Sequence, residues 1–135
     1  AFAAFDTLAA RNIAVLTPYR DDVNQRLREY IENAGYRVPV LGSFTEDNDN
    51  RVARISPDSV RSAAVELAAM DRVDAVFVSC TAVRLGGIVR EVERATGKPV
   101  TSSNHALAWH CLRLSGVDEP QPKFGSLFAQ PLADG

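Results

Sequence analysis

Three short polar segments each follow an apolar run, and their side chains could together bind and transform a small anion. They are Thr17-Pro18-Tyr19, Ser79-Cys80-Thr81 and Ser102-Ser103-Asn104. Hydroxyl, phenol and amide groups donate hydrogen bonds to carboxylates, and backbone N–H groups at helix starts attract them. The thiol of Cys80 would add a nucleophile or a base. The three segments therefore outline a carboxylate pocket with one reactive group.

The two cysteines have different surroundings, and we assign them different roles. Cys80 follows the most apolar run of the chain, where N–H groups of the next turn stabilise a thiolate. Cys111 lies in a helical pattern of leucines and is predicted to pack in the core. Neither CxxC spacing nor a zinc-finger pattern of His occurs, so we expect no disulfide scaffold and no metal, and a reducing cytoplasm as the location.

Other polar residues have weaker claims to a function. Tyr19 is either a packed aromatic or a hydrogen-bond donor to a carboxylate. Arg84 is more typical of a surface or a subunit interface than of an anion site, while His105 and His110 are more typical of helix capping or packing. The sequence contains no Ser-His-Asp order, P-loop or GxGxxG motif.

Alternating apolar runs and helical patterns predict an α/β fold. The expected strands cover 12–16, 37–41, 74–79 and 99–101, with Pro39 favouring an edge position for the second. Ser56 and Pro57 mark a helix start, and further helices are expected near 21–34, 85–96 and 104–115. The prediction is a four-stranded parallel sheet with helices on both faces, in flavodoxin-like order. The carboxyl ends of the strands would bring the three polar segments together.

Length and composition indicate one globular domain over 1–135, with a carboxyl-terminal tail from 117 to 135 in which Phe124, Leu127 and Phe128 dock. A net charge of −2 offers no basic field for nucleic acid or an anionic membrane. No apolar run is long enough to cross a bilayer, and the first residues do not form a signal peptide. Because Ala1 replaces an initiator Met, we expect a processed end or a cut within a longer protein.

Four ordered blocks of sequence resemble the carboxyl-terminal half of maleate cis-trans isomerases, in the aspartate/glutamate racemase superfamily. Arylmalonate decarboxylases and ectoine-utilisation proteins are related to the same group. The blocks are Leu16-Thr-Pro-Tyr19 with Asp21-Asp-Val-Asn24, Val52-Ala-Arg-Ile55, Val78-Ser-Cys-Thr-Ala-Val-Arg84 and Lys98-Pro-Val-Thr-Ser-Ser-Asn104-His-Ala-Leu-Ala-Trp109.

The resemblance implies specific roles for residues at the predicted sheet edge. Cys80 matches the second of two catalytic cysteines, and Tyr19 matches a tyrosine that contacts a substrate carboxylate. Asn48 or Asn50 would hold the substrate, and Thr81 would offer backbone or hydroxyl contacts. The Cys-Thr-Ala pattern favours the isomerase branch, since the decarboxylases resemble Cys-Gly-Gly there. Thr17 and Asn104 complete the set of substrate-binding residues that we predict.

The resemblance also implies a reaction and a missing partner. Family members act without a metal or organic cofactor on small dicarboxylates, and their active site lies between two similar halves. This chain would supply one half, completed by an amino-terminal half or another subunit, in an expected homo-oligomer. Racemase or decarboxylase activity and a non-catalytic carboxylate-binding domain remain alternatives. A receiver or nucleotide domain is disfavoured, because a receiver needs acidic residues where Thr17-Pro18-Tyr19 stands.

Overall fold

The computed structural model describes residues 1–133; the last two residues of the predicted tail, Asp134 and Gly135, lie outside the described residues. The helices are α1 (Phe2–Thr7), α2 (Asp21–Asn33), α3 (Asp49–Val52), α4 (Pro57–Ala68), α5 (Val89–Thr96) and α6 (Ser103–Leu114). The strands are β1 (Ile13–Thr17), β2 (Leu41–Ser43), β3 (Ala75–Val78) and β4 (Val100–Ser102), and two short 3-10 turns cover Pro122–Phe124 and Leu127–Ala129. Within residues 1–133, no helix is both long and apolar enough to cross a membrane.

The four strands form one parallel sheet in the order β2-β1-β3-β4, which confirms the predicted α/β class and strand order. Leu16 is opposite Val78, and Val78 is opposite Ser102. The carboxyl ends of the three strands β1, β3 and β4 therefore meet at one edge. In an open α/β sheet this is the edge where ligands bind.

Each face of the sheet has its own apolar core. On one face, α4 and α5 pack through Val60, Ala64, Leu67, Val89 and Val92 against alternate strand residues. On the other face, Phe5 of α1 and Ile31 of α2 pack with Phe77 of β3. Every residue of β1 and of β3 is buried, as expected for parallel strands covered on both sides.

Two element boundaries differ from those predicted. Strand β2 begins at Leu41 and not at residue 37, because Pro39 has no N–H to donate to the ladder; only an isolated bridge joins Arg37 to Asn12. Helix α5 begins at Val89 and not near residue 85. Gly86 and Gly87 precede it, and glycine is among the weakest helix formers.

Two short helices lie in segments for which no helix was predicted. Phe5 of α1 is fully buried against the ring of Phe77, with 5.3 Å between the ring centres. Helix α3 lies within the loop that follows β2, and the side chain of Asn48 caps it. Neither is long enough to show helical periodicity, so only their tertiary contacts and caps reveal them.

The prediction that Cys111 is buried is wrong, because α6 has the opposite orientation to the one expected. Cys111 is exposed, and Leu107 and Leu114 are 60% and 67% exposed. The buried face instead contains His105, Ala106, Trp109 and Arg113. The leucine pattern was misleading because polar side chains on the buried face bind backbone groups of the tail.

The tail is attached to α6 through Arg113, which is only 5% exposed. Its guanidinium donates to the carbonyls of Val117, Glu119, Phe128 and Gln130 at 2.6–3.4 Å. The indole N–H of Trp109 donates to the Gln130 carbonyl at 3.1 Å. Leu127 and Phe128 are buried, as predicted, whereas Phe124 is 43% exposed. Residues 117–130 thus form a fixed part of the domain.

Candidate active site

Cys80 occupies a strained turn immediately after β3. Its φ is +105°, a region that residues with a side chain rarely adopt. The thiol is half-buried, and its sulfur accepts the N–H of Ala82 at 3.4 Å. Strain of this kind persists where surrounding contacts fix the backbone, and it is found most often at functional sites.

The phenol of Tyr19, from the end of β1, lies beside Ser79 and Cys80. Burial raises the pKa of Tyr19, and the neighbouring Cys80 and Asp49 raise it further, while the nearby Ser79 side chain acts in the opposite direction. The phenol therefore stays protonated near neutral pH and can donate a hydrogen bond. Ser79 was not predicted as a site residue, although it adjoins Cys80 in the same polar segment.

Three side chains hold the backbone of Tyr19. The Thr17 hydroxyl accepts the Tyr19 N–H at 3.1 Å. The Asn24 amide donates to the Tyr19 carbonyl at 2.9 Å, and the Ser43 hydroxyl donates to the same carbonyl. These contacts fix the start of the polar segment before any ligand binds.

Thr17 was predicted to bind substrate, and the structure places it elsewhere. Its side chain is fully buried, and its hydroxyl donates to Asn24 Oδ1 at 2.5 Å. Because the same hydroxyl also accepts the Tyr19 N–H, Thr17 holds the backbone of Tyr19 in place. It is not available to a ligand at the open edge. Asn24, which completes this support, was quoted in the resemblance but was not predicted as a site residue.

The third polar segment contacts the Cys80 turn directly. The Cys80 N–H donates to Ser103 Oγ at 3.3 Å, and Asn104 Nδ2 donates to the Thr81 carbonyl at 2.8 Å. The structure thus brings Tyr19, Cys80, Thr81 and Asn104 to one edge of the sheet. Thr81 is exposed, so its hydroxyl is open to solvent.

The two candidate asparagines lie at the amino end of α3. Asn48 Oδ1 accepts the N–H groups of Asn50 and Arg51 at 3.0 and 3.3 Å, so its oxygen caps the helix. Asn50 is exposed, in the first turn. Their neighbour Asp49 is near enough to Tyr19 to raise the pKa of the phenol. This short helix therefore borders the Tyr19 side of the site.

A cleft of about 700 Å³ adjoins the same edge. Thr81 and Asn104 line it, and Leu85, Phe124 and Phe128 contribute apolar surface. Arg84 also lines the cleft, and its guanidinium makes a long contact of 3.5 Å with the Ile55 carbonyl. The cleft combines apolar surface with the guanidinium of Arg84.

His105 lines this cleft, but both of its ring nitrogens form hydrogen bonds within the protein. Its Nε2 donates to the Phe124 carbonyl at 2.8 Å, which leaves Nδ1 to accept the Thr101 hydroxyl at 3.0 Å. Burial lowers the pKa of His105, so the neutral form predominates near neutral pH. Within residues 1–133, no group of three or more His, Cys, Asp or Glu side chains is arranged to hold a metal ion.

Comparison with known proteins identifies relatives of two named activities. The chain is 32% identical over 124 residues to arylmalonate decarboxylase of Bordetella bronchiseptica, covering 90% of this chain and 51% of the relative. It is 29% identical over 128 residues to maleate isomerase of Nocardia farcinica, covering 93% and 50%. The chain thus spans about half the length of these relatives.

One related structure contains a covalent cysteine adduct. A mutant of the maleate cis-trans isomerase of Nocardia farcinica was solved with a bound succinylcysteine intermediate. It superposes with a TM-score of 0.86 at 25% identity, over 93% of this chain and 51% of that one. The family model described as arylmalonate decarboxylase matches residues 1–128. The chain therefore belongs to the arylmalonate decarboxylase family, which includes maleate isomerases and lies within the superfamily that the sequence resembles.

Proposed function

We propose that the chain is one half of a cofactor-independent isomerase that converts a small dicarboxylate of the maleate type, with Cys80 as the catalytic thiol. The observation that carries the proposal is the strained turn of Cys80 at the ligand-binding edge, where the ends of β1, β3 and β4 meet. The succinylcysteine adduct of a related isomerase supports a covalent route. Thiolates suit this route because they add and leave readily.

In the proposed reaction, the Cys80 thiolate adds to one alkene carbon and a C–S bond forms. The electron pair of the double bond moves to the other carbon, which takes up a proton from an acid group of the partner half. Rotation about the resulting single bond brings the carboxylates to opposite sides. Return of a proton from that carbon to the same group, with cleavage of the C–S bond, then releases fumarate and the thiolate. Tyr19 would donate a hydrogen bond to one carboxylate of the substrate, and Thr81 would donate to the same carboxylate or to the other one.

Decarboxylation of a malonate-type substrate is the second candidate. It is favoured by the 32% identity to arylmalonate decarboxylase. Here a C–C bond would break, CO₂ would leave, and the Cys80 thiol would protonate the remaining carbanion. Thr81-Ala82 after the cysteine favours the isomerase, since the resemblance associates Gly-Gly with decarboxylases. A racemase would use Cys80 as an acid or base, and a binding domain would hold the carboxylate without turnover.

We further propose that a partner completes the site. The edge with Tyr19 and Cys80 is open, and the relatives are about twice as long as this chain. The partner would be an amino-terminal half of the same fold or another subunit, in a homo-oligomer, and would supply the second thiol and further carboxylate contacts. We also propose a reducing cytoplasm as the location, since Cys80 must stay reduced to act as a catalytic thiol.

The test is fumarate formation from maleate, followed by NMR, with CO₂ release from an arylmalonate assayed in parallel. We expect no turnover by this chain alone, and turnover by a protein that contains both halves. In the two-half protein, Cys80→Ala should lower kcat about a thousandfold or more. Cys111→Ala should leave kcat unchanged, because Cys111 is exposed on α6 away from Tyr19 and Thr81. Normal turnover by the Cys80→Ala variant would refute the role of Cys80, and CO₂ release without fumarate would select the decarboxylase.

A further inference from the structure

One peptide unit links the first turn of α6 to the sulfur of Cys80. The carbonyl of the Thr81–Ala82 peptide accepts a hydrogen bond from Asn104, and the N–H of the same peptide donates one to the sulfur of Cys80. Asn104 Nδ2 donates to the Thr81 oxygen at 2.8 Å, and the Ala82 N–H donates to Cys80 Sγ at 3.4 Å. A peptide is planar, so fixing its oxygen also fixes the direction of its N–H.

We propose that Asn104 is a positioning residue, which orients the Thr81–Ala82 peptide so that its N–H stabilises the thiolate of Cys80. This role goes beyond the substrate contact predicted for Asn104 and rests on the proposed function of Cys80 as a thiolate. Hydrogen bonds in a chain polarise one another. A donor on the carbonyl therefore strengthens the N–H as a donor to sulfur.

The surroundings of the turn explain why such a link is needed. Cys80 has a φ of +105°, so the turn does not keep its shape through the ordinary preference of its backbone. The Cys80 N–H is bound to Ser103 Oγ at 3.3 Å. Ser103 and Asn104 are consecutive residues of α6, and they hold the two peptides on either side of the Cys80–Thr81 bond. Asn104 alone acts on the peptide that reaches the sulfur.

Two titratable groups lie on the β1 side of the turn, and neither belongs to α6. Tyr19 at the end of β1 is near Cys80, and Asp49 in the first turn of α3 is near Tyr19. Neither contacts the Thr81–Ala82 peptide in residues 1–133. A change at Asn104 therefore tests the peptide link without altering these two titratable groups.

The experiment measures alkylation of Cys80 by iodoacetamide as a function of pH, with no substrate present. A Cys111→Ser background removes the exposed second thiol, so one rate reports on one sulfur. Asn104→Leu keeps the approximate shape of the side chain and removes its donor, and Asn104→Ala removes both. Asn33→Ala, an exposed asparagine at the end of α2, is the matched control.

We expect the midpoint of the pH–rate profile to move to higher pH in both Asn104 variants and not in Asn33→Ala. Below the midpoint the rate should fall about two- to tenfold, the effect of one hydrogen bond. The plateau at high pH should stay within about twofold of the parent rate, because access to the thiol does not change. Circular dichroism confirms that each variant is folded.

Two outcomes would overturn the proposal. An unchanged midpoint in both Asn104 variants would mean that the peptide link does not act on the thiolate. A proportional fall of the rate at every pH would mean that Asn104 affects access only. Because no substrate is involved, either result leaves the isomerase proposal standing, whereas a shifted midpoint without turnover by the two-half protein would count against the proposed function only.

Discussion

Tyr19 and Cys80 follow the paired strands β1 and β3, and Cys80 is near enough to the Tyr19 phenol to raise its pKa. The raised pKa of Tyr19 keeps the phenol protonated, so it can donate to a carboxylate held next to the thiol. Hydrogen bonds fix the backbone of both residues, and this limits how far the two side chains can move apart.

Tyr19→Phe should lower kcat/KM of a two-half enzyme about ten- to a hundredfold. It removes one hydrogen bond to a charged group, worth roughly 1.5–3 kcal/mol. Tyr30→Phe is the control, because Tyr30 is 65% exposed on α2 and should leave kcat/KM unchanged. Equal kcat/KM values for the two variants would show that Tyr19 has no role in the reaction.

Cys80→Gly should be more stable than Cys80→Ala by about 1–2 kcal/mol, because only glycine adopts a φ of +105° without strain. Urea unfolding of the two variants measures the difference in the free energy of unfolding. The same comparison within a helix should have the opposite sign. Ala63→Gly in α4 should cost about 1 kcal/mol. If Cys80→Ala proved the more stable variant, the turn would not be strained.

Arg113→Met should destabilise the fold by about 3 kcal/mol or more, because it leaves buried carbonyls of the tail without donors. Arg61→Met is the control: Arg61 is partly exposed, and its ion pairs with Asp58 and Glu91 lie at the surface, where such pairs contribute little. Thermal unfolding of the two variants would show the contrast. Equal midpoints would mean that the tail is not part of the cooperative fold.

His105 should make the fold less stable as the pH falls below about 6.5, the ordinary value for histidine. Burial lowers the pKa of His105 in the folded state, so the unfolded chain binds more protons in that range and unfolding becomes easier. Above this range the stabilisation is fully present. His105→Gln keeps a donor for the Phe124 carbonyl and removes the titration, so its unfolding free energy should vary less between about pH 5 and 8. An identical pH dependence would exclude His105 as the cause.

The sheet and its edge could be predicted because long apolar runs and strand ends carry a strong local signal. The three polar segments do meet, as the parallel order requires. The face of α6 could not be predicted, because its buried side includes His105 and Arg113, residues that a hydrophobic pattern assigns to the surface. Only the packing of the tail, residues 117–130, against α6 supplies the carbonyls that make their burial favourable.

The roles of the site residues could be predicted in part from the sequence, for the same reason. Cys80 and Tyr19 stand at strand ends, whereas the support from Thr17, Asn24 and Ser43 depends on how β1, α2 and β2 pack together. The positive φ of Cys80 has no sequence signal, since the turn contains no glycine before Gly86. The contact of Asn104 with Thr81 likewise requires the position of β4 beside β3.

The tail is attached to α6 at several points along its length. Arg113 binds the carbonyls of Val117 and Glu119 and again those of Phe128 and Gln130, and His105 binds the Phe124 carbonyl between them. A protonated His105 would still donate from Nε2 to Phe124, and would lose only the bond that its Nδ1 accepts from the Thr101 hydroxyl. The tail should therefore keep its place beside the cleft until the domain unfolds as a whole, so Phe124 is a permanent wall of the cleft.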